Sequence, residues 1–238
     1  MAKTAQFGLP LVAPSQAQKH VTVNEALARL DAVAQPRVVS SSVQEPPAVS
    51  SDGTSYLVPQ GSIGAWVGRA GHVAVWSNGG WVFLVPKAGW RVWDDSQGRH
   101  RQFDGTDWIT DALVVSPGGA ATCWRVVEFD HVIAPGAANL TATVVPVQAQ
   151  VLGVTGRVVS SLTGPGLTGW RIGVSGADDR YGTDIGLAAN SVLVGLSGSP
   201  VTYYSATPLL ISAETGTLGG GIIRIAIHFL ELTPPRTV

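Results

Sequence analysis

The chain has 238 residues with 15 basic and 16 acidic side chains, 13% of the total, against about 25% in ordinary soluble domains. A net charge of −1 and a pI near 6.5 exclude a general nucleic-acid binder, which needs a basic face to displace counterions. The single cysteine, Cys123, excludes a disulfide framework, and no apolar run reaches the roughly 18 residues of a membrane span.

Residues 1–44 are the only part with helix periodicity. Their apolar start (Phe7, Leu9, Leu11, Val12) is broken by Pro10 and Pro14, which argues against a secretion signal. Thr22-Val23-Asn24-Glu25 reads as a capping box. Val23, Leu27, Leu30 and Ala34 then recur at helical spacing until Pro36. A lone amphipathic helix of this length gains stability only when packed, either on its own chain or on a partner.

The stretch 40–51, rich in Ser and Pro, reads as a linker into a Trp-rich block, 45–115. Six of the eight tryptophans fall between Trp66 and Trp108. The turn signals SNGG (77–80), SQG (96–98) and DGTD (104–107) predict a meander of strands at 64–68, 72–76, 81–85, 90–94, 100–103 and 107–110. Most of these rings should fill a thin core. In 90–93 the alternation of side chains sets Trp93 with Arg91 on the face opposite Val92, beside the polar loop 94–101. Trp93, Arg99 and His100 are therefore the candidate sugar platform of this block, since an aromatic ring accepts the C–H face of a sugar and polar groups bind its hydroxyls.

After 116–119 the remaining residues predict an antiparallel β-sandwich, jelly-roll-like, with strands at 123–133, 140–147, 149–160, 169–175, 191–197, 201–205, 208–213 and 221–232. Ile223, Ile225, Ile227 and Phe229 form one core face of the last strand. Its other face is only half polar, which predicts cover by a neighbouring subunit. The fold class is mainly β, in three regions: 1–44, 45–115 and 116–238.

Little catalytic chemistry is legible. GPGLTG (164–169) matches a dinucleotide pattern but precedes a strand, where the motif needs a helix. No GxSxG or HExxH occurs, and the five histidines never fall at metal-ligand spacing. No cofactor or metal is expected. The carboxylates Asp94, Asp95, Asp104, Asp107, Asp178, Asp179 and Asp184 lie in turns, where Asp is favoured for backbone hydrogen bonding. The expected loop 175–182 gathers Asp178, Asp179, Arg180 and Tyr181 and is the second candidate ligand site.

The segment LPLVAPSQAQKHVTVNEALARLDAVAQ (9–35) resembles the opening of an uncharacterised family found in prophage tail and fibre proteins of alphaproteobacteria and in their gene transfer agents. GWRVW and FDGTDW resemble the body of that family. EFDHVIAPGAANLTATVVP and TGWRIGVSGADDRYG are similar to head-spike fibres of gene transfer agents. The resemblance implies a virion-surface fibre that recognises capsular polysaccharide. The single cysteine and the broken apolar start add the expectation that it is made in the bacterial cytoplasm and released by lysis. The resemblance also makes Gln18, Lys19, His20, Asn24 and Glu25 candidates for docking to other particle proteins. A homotrimeric, non-enzymatic adhesin is the leading expectation. The alternatives are a capsule depolymerase using Asp178, Asp179 and Asp184, and a structural particle component without a ligand.

Overall fold

The computed structural model of the chain describes residues 2–5, 8–12 and 19–237. Among them it is mainly β, with one α-helix, one 3-10 turn and sixteen strands arranged in several sheets. The chain forms two compact units, Met1–Ala121 with Pro234–Val238, and Thr122–Thr233. The helical region and the Trp-rich block thus share one unit.

In the first unit, α1 spans Lys19–Val33. It starts earlier than the expected capping box, so Thr22 lies inside the helix and the Glu25 carboxylate pairs with Arg29 one turn on, at 2.7 Å. The predicted stripe is only partly covered. Ala32 packs on a core of Val38, Leu57, Val73, Val75 and Val92, whereas Val23 and Leu30 stay exposed. Before the helix, residues 2–4 pair antiparallel with 9–11, with Thr4 N–H donating to Leu9 O and Leu11 N–H to Ala2 O. The buried Thr4 hydroxyl donates to Asp31 Oδ1 at 2.7 Å, and Asn24 exchanges two hydrogen bonds with the Val12 backbone.

The strands of this unit are β1 (Arg37–Val38), β2 (Ser55–Leu57), β3 (Val73–Ser77), β4 (Gly80–Leu84), β5 (Arg91–Asp94), β6 (Arg99–Phe103), β7 (Trp108–Thr110) and β8 (Ala112–Val115). One sheet has the order β2-β3-β4 and another β1-β5-β6-β7, with β1 parallel to β5. The Asn-Gly hairpin is as the sequence predicts. Asn78 and Gly79 both have positive φ between Trp76 and Trp81, the mark of a type I′ turn. The expected strand at 64–68 is instead a 3-10 turn, Gly64–Trp66, bounded by the positive-φ glycines Gly64 and Gly68. Trp66 is fully buried there, edge-on to Trp81 at 5.2 Å and tilted against Tyr56 at 5.3 Å.

The expected linker is built into this unit. Val39 N–H donates to Ser55 O and Leu57 N–H to Ser40 O, which zips 39–40 onto β2. Behind them Asp94, fully buried, accepts from the hydroxyls of Ser41 (2.5 Å) and Ser96 (2.7 Å) and from Arg101 Nε (3.0 Å). Burial alone would raise this carboxyl, but the three donors and the guanidinium charge outweigh it and hold the group below the usual carboxylate range.

The second unit is an antiparallel β-sandwich of β9 (Ala121–Val132), β10 (Ala138–Val145), β11 (Gln150–Thr163), β12 (Trp170–Val174), β13 (Ala177–Ile185), β14 (Val192–Thr202), β15 (Thr207–Ala213) and β16 (Gly220–Thr233). One sheet carries β14-β11-β16-β9 and the other β10-β15-β12-β13. Trp170, Ile172, Leu209, Ile211, Ile223, Ile225, Ile227 and Phe229 fill the space between them. The alternation read from β16 is therefore its core face. The two strands expected at 191–197 and 201–205 form mostly one edge strand, β14, where Pro200 costs no ladder bond to a further neighbour. A Cβ on Gly195 would sit 1.8 Å from the Tyr181 carbonyl oxygen, so the edges of the two sheets meet only because that side chain is absent. Arg125 near the start of β9 and Glu231 near the end of β16 pair at 2.5 Å, setting the two ends of this unit side by side.

Candidate functional site

The exposed face of the β1-β5-β6-β7 sheet collects the polar and aromatic residues that its strands turn away from the core. In β5 the buried Val92 and Asp94 alternate with the exposed Arg91 and Trp93. The antiparallel register then sets His100 opposite Trp93 and Gln102 opposite Arg91, while parallel β1 sets Arg37 beside Trp93. One row across three strands therefore reads Arg37, Trp93, His100, and the next reads Arg91, Gln102, Ile109.

Trp93 is 37% exposed and meets the His100 ring edge-to-face, with centroids 4.8 Å apart and planes at 73°. That contact fixes the indole on an otherwise open surface. Arg91 Nε donates to Gln102 Oε1 at 2.9 Å. Arg37 Nε reaches both oxygens of Asp95 at 2.6–2.7 Å, which raises the guanidinium pKa through the hydrogen bond first and charge attraction second. Chemically this is a held aromatic ring among fork-shaped donors and amide acceptors, the groups that meet a sugar's C–H face and its hydroxyls.

Arg99 does not join the row. It stands opposite Asp94, on the other face, and pairs with Asp111 at 2.8 Å. Of the three residues expected together, the strands unite Trp93 and His100 only.

The second expected site is not a loop. Residues 177–185 form β13, hydrogen-bonded to β12. Tyr181 is buried, its hydroxyl 2.7 Å from that of Tyr203, and burial pushes the phenol far up, reinforced by the Tyr203 bond. It is a core residue and offers no ring to a ligand. Asp178 is tied to Arg171 at 2.8 Å, and Arg171 also reaches Glu214 at 3.0 Å. Asp179 and Arg180 are exposed on the same strand. The hub of this surface is Glu214, which sequence reading overlooked. Its carboxylate accepts from the Asp184 backbone N–H and the Thr183 hydroxyl, and these bonds, with Arg171, lower its pKa. No local signal marks Glu214, because its partners lie about thirty and forty residues away in the chain. Among the described residues no group of three His, Cys, Asp or Glu is placed to hold a metal.

Of the docking candidates, Gln18 lies outside the described residues. Lys19 and His20 open α1, Asn24 clamps the Val12 backbone, and Glu25 is exposed and paired with Arg29. Around them Val21, Val23 and Leu30 present exposed apolar side chains. No helix among the described residues is long and apolar enough to cross a membrane.

Residues 23–109, which take in this sheet up to Ile109, match a family described as "Protein of unknown function (DUF2793)". No curated protein matches the chain. Among solved structures, the capsid asymmetric unit of the cyanophage Pam1 is similar at 22% identity, covering 52% of this chain and 94% of that one, with a TM-score of 0.34.

Proposed function

We propose that the protein is a non-enzymatic fibre or spike component of a phage-like particle that attaches to host capsular polysaccharide through the Arg37–Trp93–His100 face. The observation that carries this reading is the indole of Trp93, exposed yet held by His100 and bracketed by Arg37, Arg91 and Gln102. The placement on a particle rests on the resemblance of 9–35 and of the Trp-rich block to prophage and gene-transfer-agent fibres. Docking to the particle uses the outward side of α1, where Val21, Val23 and Leu30 lack cover.

Self-association, as a homotrimer, uses the outer face of the β14-β11-β16-β9 sheet. Val192, Val194 and Leu196 on β14 are 55–78% exposed, and Trp124 on β9 is 58% exposed. Both charge signs occur on that face, with Arg224 bound bidentately to Asp130, so one copy can complement another. Light scattering at micromolar concentration should give three chains per particle, and a stable monomer would remove this part of the reading.

The attachment test is a pull-down of the purified chain on encapsulated and capsule-free cells. Binding should require the capsule and should weaken about tenfold in Trp93→Ala, the loss expected for one stacked ring. Circular dichroism of the variant should match the parent, since the ring is not part of the core. Unchanged binding in both Trp93→Ala and His100→Ala would refute this site, and release of reducing ends from capsule would refute the non-enzymatic role.

A further inference from the structure

A cleft of about 520 Å³ opens beside the β3–β4 hairpin of the β2-β3-β4 sheet, and no residue of the β1-β5-β6-β7 sheet lines it. Trp76 and Trp81, directly opposite each other on these strands, and Phe83, two residues beyond Trp81, form its aromatic wall. Trp81 is braced edge-on by Trp76 at 5.0 Å, by Trp66 at 5.2 Å and by Tyr56 at 5.9 Å. Pro46 and Pro47, whose rings are stiff, and Glu45 also line it. Glu45 is the only charged residue of the lining. It is exposed, and among the described residues its carboxylate has no hydrogen-bond or ion-pair partner.

The chemistry of this lining is selective. Aromatic faces carry negative potential, and a carboxylate beside them adds a full negative charge, so the cleft favours a cation. Phe83 already carries the Arg69 guanidinium, centred 5.0 Å from its ring, so the rings left for a ligand cation are Trp76 and Trp81. The lining side chains offer a single acceptor group, Glu45, the rest being Pro, Ala, Gly, Trp and Phe. A primary ammonium has three N–H donors to satisfy and a sugar ring several hydroxyls, and either finds only one side-chain acceptor there. A quaternary methylammonium has no N–H donor and spreads its charge over methyl groups that pack on rings and prolines.

We propose that the Glu45–Trp76–Trp81 cleft is a binding site for a quaternary methylammonium group of the choline type. This site is separate from the Trp93 face and does not depend on it. The test titrates choline chloride into the full chain, following the N-methyl protons by saturation-transfer NMR and tryptophan fluorescence. Choline should bind at about millimolar affinity or tighter, the scale of a few desolvated cation–π contacts with one ion pair. Ethanolamine should bind at least about tenfold more weakly, and glucose should give no saturation transfer. Glu45→Gln, an exposed change that breaks no contact within the fold, should weaken choline about fivefold or more while the circular dichroism spectrum stays that of the parent. Trp81→Phe, which keeps a ring on the wall, should weaken choline less than Glu45→Gln does. Absence of choline binding up to about 50 mM, well above that millimolar expectation, would overturn the proposal. So would equal affinity for ethanolamine or glucose, or an unchanged affinity in Glu45→Gln.

Discussion

Removing the Asp94 carboxylate should cripple the first unit and leave the second intact. Asp94 is fully buried and accepts from two serine hydroxyls and from Arg101, whose side chain is itself only 15% exposed. In Asp94→Ala that guanidinium stays largely buried without its counter-charge, Ser41 loses its acceptor, and Ser96 keeps only the Ser40 hydroxyl at 3.2 Å. Breaking a buried pair from one side costs about 3–5 kcal/mol, a large part of the roughly 5–15 kcal/mol that holds a domain. At a urea slope of about 1–3 kcal/mol/M the midpoint should fall by about 2 M. Tryptophan fluorescence reads this unit preferentially, because six of the eight indoles lie between Trp66 and Trp108. Far-UV circular dichroism follows both units and should retain the transition of the sandwich. Asp94→Asn keeps shape and one acceptor oxygen, so it should cost less, about 1.5–3 kcal/mol. Asp94→Ala combined with Arg101→Met should recover much of the loss, since the stranded charge is gone. A midpoint shift below about 0.5 M, or a double variant no more stable than Asp94→Ala, would show that the network is not the brace inferred from it.

Acid should destabilise both units through groups held below their ordinary values, Asp94 in the first and Glu214 in the second. Their stabilisation is fully present above the unfolded carboxylate values, near pH 4, and is lost as pH falls through the lower folded ones. Urea midpoints measured from pH 7 to pH 2.5 should hold steady and then fall below about pH 4, and a flat profile would contradict this. Arg236→Ala should lower the first unit's transition by about 1–3 kcal/mol, because Arg236 pairs with Asp104, whose side chain has no exposure, and with Asp107 at 3.1 Å. An equal shift in the sandwich transition, or none in either, would place the effect elsewhere.

The β-rich fold was legible because its signals are local. Alternation in 221–232 and the Asn-Gly turn at 78–79 each fix a strand within a few residues, and the structure keeps both. What escaped was decided by distant parts of the chain. Ser40 and Ser41 look like linker composition, yet Ser41 serves the Asp94 carboxylate and Ser40 accepts from the Ser96 hydroxyl, each more than fifty residues away. Asp178 to Tyr181 look like a polar loop because strand β13 buries only two of its nine residues, Tyr181 and Ile185, and no alternation of two survives that pattern. Trp93 and His100 stand opposite each other because the short turn between β5 and β6 makes their register nearly local. Arg99 was misplaced by a single residue, which in a strand is a change of face.

The adjacency of Arg125 and Glu231 has an evolutionary consequence. Residues 122–233 enter and leave their sandwich at neighbouring points, while 234–238 return to the unit begun by 1–121. In topology the sandwich is an insertion, a cassette whose two splice points lie together. Modules whose two splice points lie together are the kind in which exchange or insertion is commonly tolerated. Recombination at those points would replace the outer sheet face wholesale and leave Trp93, Asp94 and the Arg236 clasp unchanged.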